Sequence, residues 1–168
     1  MRKRILVKGP VLTQSGYGEQ SRFALRALRT KEDLFDIYIS PINWGTCGWI
    51  WADDEFRSWM DEKIIKTQVL SRQNKLSIDM TLQITIPDEF QKMSDYDIGY
   101  TAGIETTHAA PNWLQKGNEI DKILVVSNHS MNTYVGSRAI AKNNQTGEES
   151  EYKLETPVEV VHEITPRA

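Results

Sequence analysis

The chain has 168 residues, of which 39% are hydrophobic and 26% charged, and its formal net charge is −3 at pH 7. These values are typical of a globular domain with its own core, and the lack of a basic cluster beyond Arg2-Lys3-Arg4 argues against nucleic-acid binding. No run of about 18 apolar residues is present, so the sequence predicts no membrane span. The single cysteine, Cys47, excludes an internal disulfide and is typical of a cytoplasmic protein.

The first elements along the chain are a short strand, a glycine-containing loop and a helix. Ile5-Leu6-Val7 is continuously apolar, which favours a parallel sheet covered on both faces. The loop runs from Lys8 to Gly18, and a helix is predicted from about Gly18 to Arg29. Helical spacing predicts that the buried stripe of this helix consists of Phe23, Ala24, Ala27 and Leu28.

The next segment is predicted to contain a second strand, a tryptophan-rich loop and a long helix. The strand covers 35–39 and ends before Pro41. The loop carries Trp44, Trp49 and Trp51, which are candidates for a domain-facing or carbohydrate-stacking surface, or for packing on the following helix. Asp53-Asp54-Glu55 predicts the start of that helix, since acidic residues in a first turn complement the helix dipole.

Strict alternation of apolar and polar residues marks the segment from Leu76 to Ile86. A period of two is typical of a strand with one buried and one solvated face. The pattern therefore predicts a third strand that lies at an edge of the sheet or is only partly covered. Pro87 ends it.

The rest of the chain continues the alternation of strands and helices. Strands are predicted at 97–100 and 123–126, a short helix at 111–116, and Ser127 as the N-cap of a further helix. A β-hairpin is expected at about 138–156 and a last strand at about 158–161. Together these elements predict one α/β domain over 1–168, with a Rossmann-like, mostly parallel sheet and helices on both faces.

Ligands of such sheets bind beyond the carboxyl ends of the strands, so the glycine loop is the first place to look for chemistry. Gly16-Tyr17-Gly18-Glu19-Gln20-Ser21 lacks the third glycine of a dinucleotide motif, and no acidic residue ends the second strand. The phosphate-binding G-x-x-x-x-G-K-[ST] pattern is absent from the sequence. Asp95-Tyr96-Asp97 matches the D-x-D of metal-dependent sugar transferases but precedes its strand, which indicates a polar turn.

Several short motifs, taken in order, resemble the N-terminal half of the GT-B glycosyltransferases, the large retaining group called group 1. They are the Ser15-Gly16-Tyr17-Gly18 loop, 100–105 (YTAGIE), 111–113 (PNW), 118–122 (NEIDK), 125–128 (VVSN) and 156–161 (TPVEVV). The resemblance implies one Rossmann-like half of a two-domain enzyme. Such an enzyme moves a sugar from a nucleotide-sugar donor to an acceptor, with no cofactor and no obligatory metal.

The same resemblance implies that the loop after the first strand lines the ligand cleft. Ser15, Gly16, Tyr17 and Gly18 are the positions carried over, and backbone N–H groups there suit a leaving diphosphate. Arg22 lies one turn into the helix and faces either phosphate or solvent.

Other candidate site residues follow the later strands. Glu105 and His108 come after the fourth strand, where they are expected to contact acceptor hydroxyls, act in proton transfer, or cap the short helix at Pro111. They are expected to face the same opening as the Ser15–Gly18 loop, because parallel strands with right-handed crossovers place these loops at one end of the sheet. Ser127 and Asn128 occupy a turn that contributes cleft contacts in the family.

The donor-binding second domain of the family has no counterpart in this sequence. We therefore expect the acceptor-side half of a glycosyltransferase, completed by a separate subunit, or a fragment of a longer enzyme. A non-catalytic binding module that retains the fold is the alternative, and a small nucleotide-binding Rossmann protein is a third reading. The partners implied are a nucleotide sugar, an acceptor and a subunit that supplies the donor-binding domain.

Overall fold

A computed structural model of the chain describes residues 2–42, 48, 54–101, 111–142 and 145–162. Strands and helices alternate along this part of the chain. In order they are β1 (Lys3–Gly9), α1 (Gly16–Arg29), β2 (Phe35–Pro41), α2 (Glu55–Arg72), β3 (Met80–Ile84), a 3-10 turn (Pro87–Glu89), β4 (Tyr96–Thr101), α3 (Pro111–Gly117), β5 (Lys122–Val125), α4 (Asn128–Gly136), β6 (Arg138–Lys142), β7 (Glu149–Lys153) and β8 (Val158–Val160).

Six strands form an all-parallel sheet in the order β2-β1-β3-β4-β5-β8, flanked by the four helices. The strands β6 and β7 pair with each other in antiparallel fashion. The fold is α/β and Rossmann-like, so the predicted fold class is confirmed, including the hairpin in the C-terminal part of the chain.

The strand order reverses beside β1. The chain leaves β1 for β2 on one side and returns for β3 on the other, so that Val7 pairs with both Ile39 and Leu82. In open α/β sheets such a reversal opens a crevice at the carboxyl ends of the two flanking strands, and ligands bind there. The loop that follows β1 is therefore the expected ligand-binding position in this topology.

The described residues form two compact units. The first contains Met1–Ile84 and Met93–Asp97, and its core includes the fully buried Val7, Leu25 and Ile39. The second contains Thr85–Lys92 and Ile98–Glu163. Its core is a cluster of side chains from several elements, namely Phe90, Leu114, Ile120, Ile123, Val125, Tyr134, Ala139 and Leu154.

The buried face of α1 differs from the predicted stripe. Ala27 is exposed, whereas Leu25 is fully buried and Ser21 is buried beside it. A Cβ added to Gly9 at the end of β1 would lie 2.8 Å from Oγ of Ser21. The helix and the strand approach so closely there that a small polar residue occupies the buried row. Of the predicted stripe, Ala24 is buried as expected, and the buried face is shifted from it toward Ser21 and Leu25.

The expectation of a solvated face on the third strand is also wrong. The strand β3 lies between β1 and β4 in the strand order, and Thr81 and Gln83 are as buried as their apolar neighbours. The hydroxyl of Thr81 donates to Asp97 over 2.6 Å, and the amide of Gln83 donates to Thr81 over 3.0 Å. Because these polar side chains bond to one another, they do not need water, and an alternating pattern fits a central strand.

None of the described helices has the length and apolarity needed to cross a lipid bilayer.

Candidate functional site

The loop from Pro10 to Ser15 links the carboxyl end of β1 to the N-terminus of α1. Two short backbone bonds shape its first turn: the Val11 N–H donates to Gly9 O over 2.8 Å, and the Thr13 N–H donates to Pro10 O over 3.1 Å. The Gln14 N–H then donates to the carbonyl of Gly48 over 2.7 Å. Backbone hydrogen bonds within the first unit therefore stabilise this loop.

Hydroxyl groups connect this loop to the first turn of the helix. The buried hydroxyl of Thr13 donates to Pro10 O over 2.9 Å and lies 2.7 Å from the hydroxyl of Ser15. The Thr13 proton is directed to the carbonyl, so the Ser15 hydroxyl is the donor of the second bond. Oγ of Ser15 in turn accepts the N–H of Gly18 over 3.0 Å and caps α1. Ser15 thus uses its proton and one lone pair within the loop.

The two glycines of the loop have different roles. A Cβ on Gly18 would lie 2.2 Å from the carbonyl oxygen of Thr13 and 2.8 Å from its hydroxyl oxygen, so the turn closes only around glycine. A Cβ on Gly16 would meet nothing within 4 Å, and Gly16 is exposed. Neither glycine has a positive φ. The close approach of Thr13 therefore explains why residue 18 is a glycine. Gly16 has no such neighbour and leaves open space at the helix N-terminus.

Arg22 holds the loop from the side of the helix. Its Nη1 donates to the carbonyl oxygens of Val11 and Thr13 over 3.0 and 2.9 Å. Partial burial lowers the pKa of the Arg22 guanidinium from its ordinary value. The sequence left phosphate and solvent as the two environments of Arg22, and the structure adds a third, the backbone of its own loop.

Gln20 is a residue of this helix that sequence reasoning missed. Its side chain is 1% exposed, and within the described residues neither its amide nitrogen nor its amide oxygen has a hydrogen-bond partner. A buried amide without partners costs free energy, so natural structures contain few of them. The available signal was helical spacing: Gln20 lies three and four residues before Phe23 and Ala24, on the face of the predicted apolar stripe.

We predict that Gln20→Met leaves the chain equally stable or stabilises it by about 1–2 kcal/mol, because it removes an uncompensated polar group at nearly constant volume. Urea unfolding of both proteins measures the difference in the free energy of unfolding. A loss of stability of more than about 1 kcal/mol would mean that the amide makes bonds that the folded chain needs.

The positions Ser127 and Asn128 lie in the second unit at the start of α4. The hydroxyl of Ser127 accepts the N–H of Ser130 over 3.1 Å, which confirms the predicted N-cap. Asn128 is exposed in the first turn. The candidates Glu105 and His108 lie outside the described residues, as do Trp44, Trp49 and Trp51.

Of the Asp95-Tyr96-Asp97 segment, only Asp95 lies in the predicted polar turn, whereas Tyr96 and Asp97 are the first residues of β4. Asp97 is fully buried and accepts bonds from the hydroxyls of Thr81 and Ser94 and from the backbone of Met93 and Ser94. Asp95 is exposed. The carboxylate of Asp97 therefore organises the entry into β4.

Within the described residues, no group of three or more His, Cys, Asp or Glu side chains is placed to hold a metal ion. The chemistry that the first unit offers is the exposed N-terminus of a 14-residue helix, beside Gly16 and at the point where the strand order reverses. Such a terminus favours an anionic group. Comparisons of the chain with protein-family models, curated proteins and solved structures found no match.

Proposed function

We propose that this chain is the acceptor-side half of a glycosyltransferase that moves a sugar from a nucleotide-sugar donor to an acceptor. The proposal carries forward the resemblance of its motifs to the N-terminal half of the GT-B enzymes. In the proposal, a donor-binding domain outside these 168 residues completes the enzyme, either on a separate subunit or in a longer chain. No cofactor is needed, and the protein acts in the cytoplasm.

One observation supports this function above the others. The loop between β1 and α1 leads into a helix N-terminus beside the reversal of the strand order, and Gly16 leaves open space there. Backbone N–H groups and the helix dipole at such a position favour a phosphate group, by about 0.3–1 kcal/mol when exposed. A sugar diphosphate approaching this terminus would find a preformed, uncrowded surface.

The roles of the remaining candidates stay predictions. We expect Glu105 or His108 to contact an acceptor hydroxyl or to transfer its proton. We expect Ser127 and Asn128 to contribute ligand contacts at the start of α4, beyond the capping bond that Ser127 already makes to the Ser130 N–H.

A second candidate, a non-catalytic binding module with the same fold, is favoured by the way the loop uses its polar groups. Ser15 caps α1 and Arg22 bonds to two loop carbonyls, so both act in the local structure. Glu19 places a carboxylate in the first turn of the helix, and its charge opposes an incoming phosphate.

Pyrophosphate binding to the full chain tests the proposed role of the loop. We expect saturable changes in the amide NMR signals of Gly16 and Tyr17. Gly16→Val should abolish them while leaving the chain folded, because the added side chain enters open space and fills the anion's position. Gly136→Val is the matched control, since a Cβ there also meets nothing within 4 Å and the residue lies in the second unit.

Two results would contradict this role. One is the absence of any saturable change at Gly16 and Tyr17. The other is an equal response of the Gly16→Val chain to pyrophosphate, which would place the anion elsewhere.

A further inference from the structure

A cavity of the first unit lies between the carboxyl end of β2 and the last turns of α2. Its volume is about 350 Å³. Leu6 supplies a buried apolar floor and Leu76 a partly buried apolar wall. Ile39 and Pro41 also line the cavity, but they pair with Val7 and Gly9, so their side chains point to the opposite face of the sheet. Pockets for small ligands begin at about 300 Å³, and a cavity of about 150 Å³ already holds benzene. The space therefore suits a ring or a branched aliphatic group with a short arm.

The rim of this cavity is polar and carries one charge. Ser40, Gln68, Ser71 and Arg72 contribute the polar side chains, and none of these four side chains bonds to another described residue. Among the described residues, the lining includes a guanidinium and no carboxylate. In this part of the chain the mouth of the cavity is therefore electropositive and presents hydrogen-bond donors without described partners.

Neighbouring polar groups that could compete for a ligand are already bonded. The hydroxyl of Thr67 donates to Lys63 O over 2.7 Å and accepts the N–H of Ile39 over 3.0 Å. The carbonyls of Val69, Leu70 and Ser71 near the end of α2 accept backbone N–H groups of the three residues that follow the helix. Three of the last carbonyls of α2 thus already accept a bond. The negative end of the helix dipole still opposes an anion at the rim, so the binding of an anion there depends on the charge of Arg72.

This cavity is distinct from the loop after β1. Leu6 pairs in register with Tyr38, and Nζ of Lys66 in α2 lies 4.1 Å from the centre of the Tyr38 ring, so α2 covers that face of the sheet. Gly9, three residues after Leu6, points to the opposite face and approaches Ser21 of α1. The two sites lie on opposite faces of the sheet.

The geometry points to a binding site for a small organic carboxylic acid with an apolar body. The apolar group packs on Leu6 and Leu76, and the carboxylate pairs with the guanidinium of Arg72. Planar guanidinium and carboxylate groups match in a two-bond arrangement, and the hydroxyls of Ser40 and Ser71 can donate to the remaining lone pairs. The apolar floor selects against bare inorganic anions.

Calorimetric titration of the full chain tests this site with four probes: phenylacetate, 4-methylpentanoate, the neutral phenylacetamide and inorganic phosphate. We expect saturable binding of the two acids only. Arg72→Gln should weaken phenylacetate binding by about tenfold or more, the usual size of a charge-assisted bond. Arg72→Lys keeps the positive charge but loses the planar two-bond geometry, so its affinity for phenylacetate should lie between those of the parent chain and Arg72→Gln. Lys63→Gln removes one positive charge from the same helix and should leave binding unchanged.

The proposal is overturned if neither acid binds saturably, if phenylacetamide or phosphate binds as tightly as phenylacetate, or if Arg72→Gln binds phenylacetate like the parent chain. Arg72 is exposed at the end of α2, so its variants are expected to fold, and thermal unfolding of each variant checks this. The result is independent of pyrophosphate binding at Gly16, so either site can fail without the other.

Discussion

Replacing Gly18 with alanine is expected to destabilise the chain by about 2–3 kcal/mol, at the upper end of the range for overpacking. The added Cβ would lie 2.2 Å from the carbonyl oxygen of Thr13, which is backbone and has little freedom to move. It would also lie 3.1 Å from the Arg22 nitrogen that bonds to the same loop. Relief of the clash therefore breaks the bonds between Arg22 and the loop as well. Urea unfolding of the purified variant measures the loss.

Gly16→Ala provides the matched control, since an added Cβ there meets nothing within 4 Å. Alanine in a helical position is favoured over glycine by about 0.5–1 kcal/mol, so this variant should be as stable as the parent or slightly more stable. Equal stability of the Gly18 and Gly16 variants would show that the loop does not pack against the helix as described.

Asp97→Ala is expected to cost about 2–3 kcal/mol of stability, because it leaves the buried Thr81 hydroxyl and three partly buried donors without their acceptor. Asp97 is fully buried, and its two oxygens accept from Thr81 and from both the hydroxyl and the backbone of Ser94. The Met93 N–H is a further donor. Loss of the carboxylate therefore disrupts the polar turn before β4 and the bond to β3 together. Denaturant unfolding gives the change in free energy.

Asp97→Asn separates the charge from the geometry. Its amide keeps one acceptor for the backbone donors, and the hydroxyls can rotate to accept, so a smaller cost of about 1–2 kcal/mol is expected. Asp95 in the turn before β4 is exposed, so Asp95→Ala should change the free energy of unfolding by less than about 0.5 kcal/mol. A cost for Asp97→Ala no larger than that for Asp95→Ala would contradict the assigned role.

The starts of α2 and α4 and the fold class were predictable because local chemistry determines them, whereas α1 begins at Gly16, two residues before the predicted start. Asp54 caps α2 by accepting the Arg57 N–H over 2.8 Å, and Ser127 caps α4, both at the positions that the sequence indicates. The parallel sheet follows from the alternation of apolar strands and amphipathic helices. These features depend on residues close together in the chain.

The exact burial pattern was not predictable, because it depends on contacts between distant segments. Thr81 can be buried because its hydroxyl bonds to Asp97, which lies 16 residues later in the chain. Neither segment alone predicts this bond. Ser21 is buried because Gly9 brings β1 close to α1. For the same reason the sequence left Arg22 between phosphate and solvent, although its guanidinium bonds to backbone carbonyls nine and eleven residues earlier.

Sugar transfer is the measurement that tests the central proposal most directly. Radiolabelled UDP-glucose and GDP-mannose are supplied to the chain alone and to the tagged chain purified with its native partners. The proposal predicts no transfer by the chain alone, transfer by the assembly, and a loss of about tenfold or more in the assembly that carries Gly16→Val, since misplaced reacting groups cost at least that much. Turnover by the chain alone, or none by the assembly with any acceptor, would contradict the proposal that this is the acceptor-side half of a glycosyltransferase.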